Sequence, residues 1–128
     1  MKNTHVTYVL IFLVVIFFSL SCKTSYPKRN GVYADKSRWT GPMVLKGDSL
    51  FIYTRSNNGS DVFREICIHY KDSLVLPKHE MVFTFKNDTM VLVGSRLTAT
   101  GIKLVKISDK VNLTDKELWL LHREYLSE

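Results

Sequence analysis

Lys46-Gly47-Asp48-Ser49-Leu50-Phe51-Ile52 returns in loose copy as Tyr70-Lys71-Asp72-Ser73-Leu74-Val75-Leu76, and again as Lys86-Asn87-Asp88-Thr89-Met90-Val91-Leu92. Each copy is a polar turn with aspartate, then serine or threonine, then an apolar run. Asp and Asn suit such turns because their side chains bond nearby backbone and tolerate left-handed geometry. The copies are unevenly spaced, so they mark hairpins and not a solenoid period. Repeated turns that each open a strand predict an up-and-down antiparallel meander.

Working outward, eight strands are expected: Val32–Asp35, Met43–Lys46, Ser49–Arg55, Val62–Tyr70, Ser73–Leu76, Met81–Lys86, Thr89–Ser95 and Ile102–Ile107. Met81, Phe83 and Phe85 share one face, with Thr84 and Lys86 on the other. Ile66, Ile68 and Tyr70 share a face opposite Glu65 and His69. One buried and one wet face is the antiparallel pattern, which assigns the aliphatic side of Val62–Tyr70 to the core.

The end of the chain changes character. Thr114-Asp115-Lys116-Glu117 fits a capping box, and Leu113 with Leu118 fits a hydrophobic staple. Leu118, Leu121, His122 and Tyr125 then fall on one helical face, with Trp119 and Leu126 beside it. A helix over 114–127 is expected. The competing reading is a fourth copy of the repeat, turning at Leu113-Thr114-Asp115 into a strand Leu118–Leu121.

The start of the chain is of another kind. Lys2 and His5 precede an apolar run, Tyr8 to Phe18. A membrane-crossing helix needs roughly 20 apolar residues, so the run is short for a span and suits a secretory signal. Ser19-Leu20-Ser21-Cys22 follows and resembles the lipobox of bacterial lipoproteins, with Leu20 one place nearer the cysteine than usual. The resemblance implies cleavage before Cys22 and acylation there with palmitate-type chains. Lys23 stands where inner-membrane retention would call for aspartate, which implies the outer membrane. Residues 1–21 are thus read as signal, 22–30 as lipidated cysteine and linker, and 31–128 as one β-rich domain. The competing readings are an uncleaved anchor, Val6 to Leu20, and an ordinary secreted protein.

Of 128 residues, two are cysteines. With Cys22 acylated, Cys67 has no partner within the chain and reads as a buried thiol. Without acylation, a Cys22–Cys67 bridge is open to an oxidising compartment. The net charge of +6 is scattered and reads first as a solvated surface with a mild basic excess; the competing reading is a surface for anionic lipid headgroups or acidic glycans. An exported chain is a poor candidate for nucleic acid.

Gly31-Val32-Tyr33 at the first strand resembles the Gly-x-Trp opening of lipocalins. The whole pattern is similar to small lipocalin-like lipoproteins of Gram-negative bacteria. That resemblance implies a mainly β, antiparallel, barrel-like fold of about eight strands with a C-terminal helix, and an address in the envelope. It implies no reaction. Such barrels are filled by side chains or hold one small ligand. Phe51, Tyr53, Phe63, Tyr70, Phe83 and Phe85 either line such a pocket or fill it.

No chemistry-bearing motif stands out. His69, His79 and His122 lack metal-site spacing, and no nucleophile elbow or phosphate loop is present. No catalytic residue, metal ligand or cofactor is assigned. Asp48-Ser49-Leu50, Asp72-Ser73-Leu74 and Asp88-Thr89-Met90 resemble acceptors of a bacterial O-glycosylation system, which makes Ser49, Ser73 and Thr89 candidate glycan sites beside their turn role. The expected function is that of a lipid-anchored binding, interaction or structural module meeting an envelope protein or glycan. The alternative is a carrier of a small apolar ligand in the barrel lumen, and an enzyme comes third.

Overall fold

A computed structural model describes residues 26–37, 40–56, 59–94 and 101–128. Residues 1–21, expected to be a signal, Cys22 and Ser95 lie outside the described residues. Nine strands are found among those described: β1 Gly31–Ala34, β2 Met43–Lys46, β3 Ser49–Ser56, β4 Gly59–Ile66, β5 Ile68–His69, β6 Ser73–Leu76, β7 Met81–Lys86, β8 Thr89–Gly94 and β9 Lys103–Ser108. Among the same residues one α-helix, α1, spans Asp115–Ser127.

All neighbouring strands are antiparallel. They form one sheet in the order β4-β3-β2-β1-β9-β8-β7-β6-β5. Its two outermost strands, β4 and β5, are consecutive in the chain and separated by Cys67 alone. One strand therefore serves both ends of the sheet, pairing with β3 through Gly59–Ile66 and with β6 through Ile68–His69. The sheet curls into a nearly closed barrel. The expected strand Val62–Tyr70 is this shared element.

The three repeat turns all lie at one end of the barrel, where Pro27–Arg29 forms a 3₁₀ turn. Gly47 and Asn87 take the left-handed conformation there, with φ of 60° and 55°. In each copy the aspartate carbonyl accepts an amide from a later strand. Cys67 donates to Asp48 at 2.9 Å, Phe85 to Asp72 at 3.0 Å and Lys106 to Asp88 at 2.7 Å. The repeat is therefore a structural device: the turn residue extends the ladder to the strand beyond its own hairpin.

Inside the barrel, Tyr33, Met43, Leu45, Leu50, Cys67, Leu74, Leu76, Met81, Phe83, Met90, Leu92 and Leu104 pack as one cluster, joined by Ile52, Phe85 and Ile102. A second cluster lies outside. Leu118 of α1 is buried with Val32 and Val44, and Phe51, Tyr53, Ile107, Val111, Leu113 and Leu121 pack around them. The helix thus covers the outer face of β1, β2, β3 and β9. The capping box is formed, with Thr114 Oγ1 accepting from the Glu117 amide at 3.2 Å. The helical reading of this segment holds, and the strand reading does not.

The expected sidedness of the Val62–Tyr70 strand is reversed. Glu65 and Cys67 face inward, and Glu65 is only 7% exposed. Ile66, Ile68 and Tyr70 face out, with Ile66 at 68%. The β3–β4 hairpin register causes this. It pairs Ser49 with Ile66 and Leu50 with Glu65, and Leu50 must point inward. A strand has a period of two, so its partner's phase fixes its own. Residues 26–30, expected to act as linker, are also held against the barrel end.

Burial pushes the Cys67 thiol up to about 11, with Asp48 adding to the shift. The neutral thiol is the form the fold favours. Its stabilising contribution is complete below pH 9.0, the ordinary thiol value, and is lost as pH rises toward 11. Tyr33 is raised for the same reason of burial. The urea midpoint should therefore fall between pH 9 and 11. Cys67→Ala should be less stable at neutral pH and show a flatter alkaline decline. An identical decline in both proteins would remove Cys67 from this account.

Candidate binding groove

The six aromatics singled out in the sequence do not meet in one pocket. Phe83 is buried inside the barrel and Phe85 packs against the same cluster. Phe51 and Tyr53 lie outside, beneath α1. Phe63 and Tyr70 are exposed. The alternation was legible, but which half of each strand α1 would cover was not.

The turn end of the barrel is stoppered by Arg29. Its guanidinium carbon lies 3.9 Å from the Tyr26 ring centroid and 4.3 Å from that of Phe85. It donates to the carbonyls of Ser73 and Lys71, and meets His69 Nδ1 at 3.3 Å. The Tyr33 hydroxyl donates back to the Arg29 carbonyl at 2.6 Å. Burial lowers the Arg29 pKa, against the opposing pull of Tyr26, Tyr33 and Asp72. A residue of the expected linker is thus part of the fold.

Toward the other end, the inward carboxylate of Glu65 meets His79 Nε2 at 2.7 Å. His79 lies on the Pro77–His79 turn between β6 and β7. A buried carboxylate needs such a partner, since an unpaired charge is costly away from water. This pairing accounts for His79 structurally.

The glycan candidates fall within strand starts. Ser49 is buried, and its hydroxyl accepts from Arg64 Nε at 3.0 Å. Ser73 and Thr89 are half-buried. Among the described residues, no three His, Cys, Asp or Glu side chains are grouped as a metal ion would need.

A groove of about 590 Å³ runs between α1 and the far end of β3. Thr40 and Gly41 from the β1–β2 loop, Thr54 and Arg55 from β3, and Trp119, His122, Arg123 and Leu126 from α1 form its walls. Trp119 is its centre. The indole Nε1–H donates to Ser60 Oγ at 3.0 Å. Arg55 stacks on its face, 4.3 Å from the ring centroid. His122, buried, meets it edge-on with centroids 5.7 Å apart.

The helix phase sets this arrangement. Leu118 and His122, four apart, lie on the buried stripe. Trp119 and Arg123 are rotated toward β3. Leu118, Leu121, His122 and Tyr125 were legible as a helix face with Trp119 and Leu126 beside it, but not the juxtaposition of Trp119 and His122 with Thr54 and Arg55, which depends on tertiary packing.

Among the described residues no carboxylate forms an ion pair with Arg55 or Arg123. Two guanidinium groups at one groove can each offer planar, forked donors to an anionic group. Threonine hydroxyls and an indole provide polar and apolar contact beside them. A groove of this volume is within the range of small-ligand sites. Comparison with known protein families, with curated proteins and with solved structures found no match.

Gly41 allows the close approach on which the groove depends. A Cβ there would collide with the Tyr53 carbonyl oxygen and lie 2.8 Å from the Trp119 ring. Gly41→Ala should cost about 1–3 kcal/mol, as overpacking does, and should alter the fluorescence of Trp119. Unchanged stability and emission would mean that the loop does not press on the indole.

Proposed function

We propose that this chain is a lipid-anchored protein of the cell envelope, held in the outer membrane through Cys22, which works by binding and not by catalysis. Its recognition site is the groove beside α1, and its ligand is an anionic glycan segment. The observation that carries this reading is the pair Arg55 and Arg123 at a groove walled by Trp119, Thr40 and Thr54. Carboxylates on a sugar chain match the guanidinium forks. Hydroxyls match the threonines, and the apolar side of a sugar ring matches the indole edge.

The alternative, a carrier of a small apolar ligand in the lumen, has less support. It requires open space between the interior side chains. Instead Tyr33, Met43, Phe83, Met90 and their neighbours pack against one another as a single cluster. Interior aromatics used as filling leave recognition to the outer surface.

Two measurements test the reading. The intact mass of the full chain from its native membranes should correspond to a chain beginning at Cys22 with added acyl chains. A bare chain would remove the anchor. Binding of tetragalacturonate to the purified protein should weaken with rising salt. It should fall about 100-fold or more when Arg55 and Arg123 are both changed to Gln, in line with hydrogen bonds to charged groups at about 1.5–3 kcal/mol each. No binding, or binding indifferent to both arginines, would overturn the groove assignment.

A further inference from the structure

The side of the barrel away from α1 carries an apolar belt that no other described element covers. Ile68, Val75 and Val82 stand side by side across β5, β6 and β7 by direct register. Thr84 and Val91 continue it onto β8, and Val91 pairs with Lys103 of β9. Ile66, Ile68 and Tyr70 along the shared strand are between 45% and 68% exposed, as is Val93 on β8. Val75, Val82 and Val91 are half-buried and Ile66 and Ile68 exposed, and a contiguous apolar surface of this kind marks an interaction site more often than a bare face.

Three features identify the occupant. The first is charge. On this outer face the charged positions of β4 to β9 are Arg64, Lys86 and Lys103, all of them basic and exposed. No acidic residue shares the face among the described residues. Basic residues around an apolar patch match an anionic headgroup layer above hydrocarbon.

The second is the position of the tether. Tyr26, the first described residue, stacks on His69 with ring centroids 5.6 Å apart. His69 lies between Ile68 and Tyr70 in the strand, its side chain on the opposite face, so Tyr26 sits at the barrel end that borders the belt. The third is length. Only four peptide steps separate Cys22 from Tyr26, a span of at most about 14 Å when fully extended. An acyl anchor at Cys22 cannot place the bilayer far from Tyr70 and Ile68.

We infer that the barrel lies on its own membrane, with the Ile66, Ile68, Val75 and Val82 belt against an anionic lipid surface. This inference rests on acylation at Cys22. It also orients the groove: α1 covers the opposite side of the barrel, so Arg55, Trp119 and Arg123 face away from the lipid.

The test uses the full acylated chain in vesicles of phosphatidylethanolamine and phosphatidylglycerol. Ile68→Cys and, as a control on α1, Leu120→Cys each carry an environment-sensitive fluorophore. Both native side chains are exposed, so either substitution spares the core. The label at position 68 should be several-fold less accessible to aqueous iodide than that at 120, and should be quenched by brominated lipid. Reversal of Arg64, Lys86 and Lys103 to Glu should cancel that difference. Equal iodide access at both positions in a chain that floats with the vesicles overturns the docking while leaving the anchor intact. Shielding at position 68 without bromolipid quenching, in a protein of dimer size, makes a second copy the occupant and overturns it too. A chain that does not float with the vesicles overturns the anchor and the docking together.

Discussion

The strand that runs from β4 through Cys67 into β5 supports the rest of the architecture. An open sheet of this length would expose two rows of unpaired amides and carbonyls. Here one strand supplies the pairing at both ends. The crossover is bridged by the Cys67 amide, which donates to the Asp48 carbonyl, and by the thiol, which lies 3.8 Å from the Gly47 carbonyl oxygen. Because Cys67 must point inward there, Glu65 does as well, and Ile66 and Ile68 point out. Closure, the buried Glu65–His79 pair and the exposed belt are thus consequences of one phase choice.

That phase also shows where sequence reasoning succeeds and where it stops. The strands were legible because Asp48, Asp72 and Asp88 mark turns and the runs after them are apolar. The meander followed, since such turns join neighbours. The helix was legible from Thr114 and Glu117 and from the spacing of Leu118 and His122. The burial of Glu65 was not. Hydrophobicity alone assigns Ile66 and Ile68 to the core, and only the hairpin register overrides it. A lipid surface offers those residues another apolar environment, so the reversed pattern is consistent with the proposed setting.

The groove was hidden for a different reason. Arg55 and Arg123 are far apart in sequence and belong to no motif. They become neighbours only because α1 folds back over β3, seated by Leu118 on Val32 and Val44. Arg29 is similar. Its place between Tyr26 and Phe85 depends on a barrel end that does not exist until the sheet closes. Local patterns therefore specify the frame, whereas the groove beside α1 and the outward belt emerge from packing.

Native-state amide hydrogen exchange across residues 59–70 tests the closure most directly. In a closed sheet the Cys67 amide should exchange as slowly as the Phe85 and Lys106 amides, which make the equivalent bond to Asp72 and Asp88, and all three should open only with the whole domain. A Cys67 amide that exchanges orders of magnitude faster than the other two would mean that β4 and β5 are two frayed edges of an open sheet, and the account would fail at its first step.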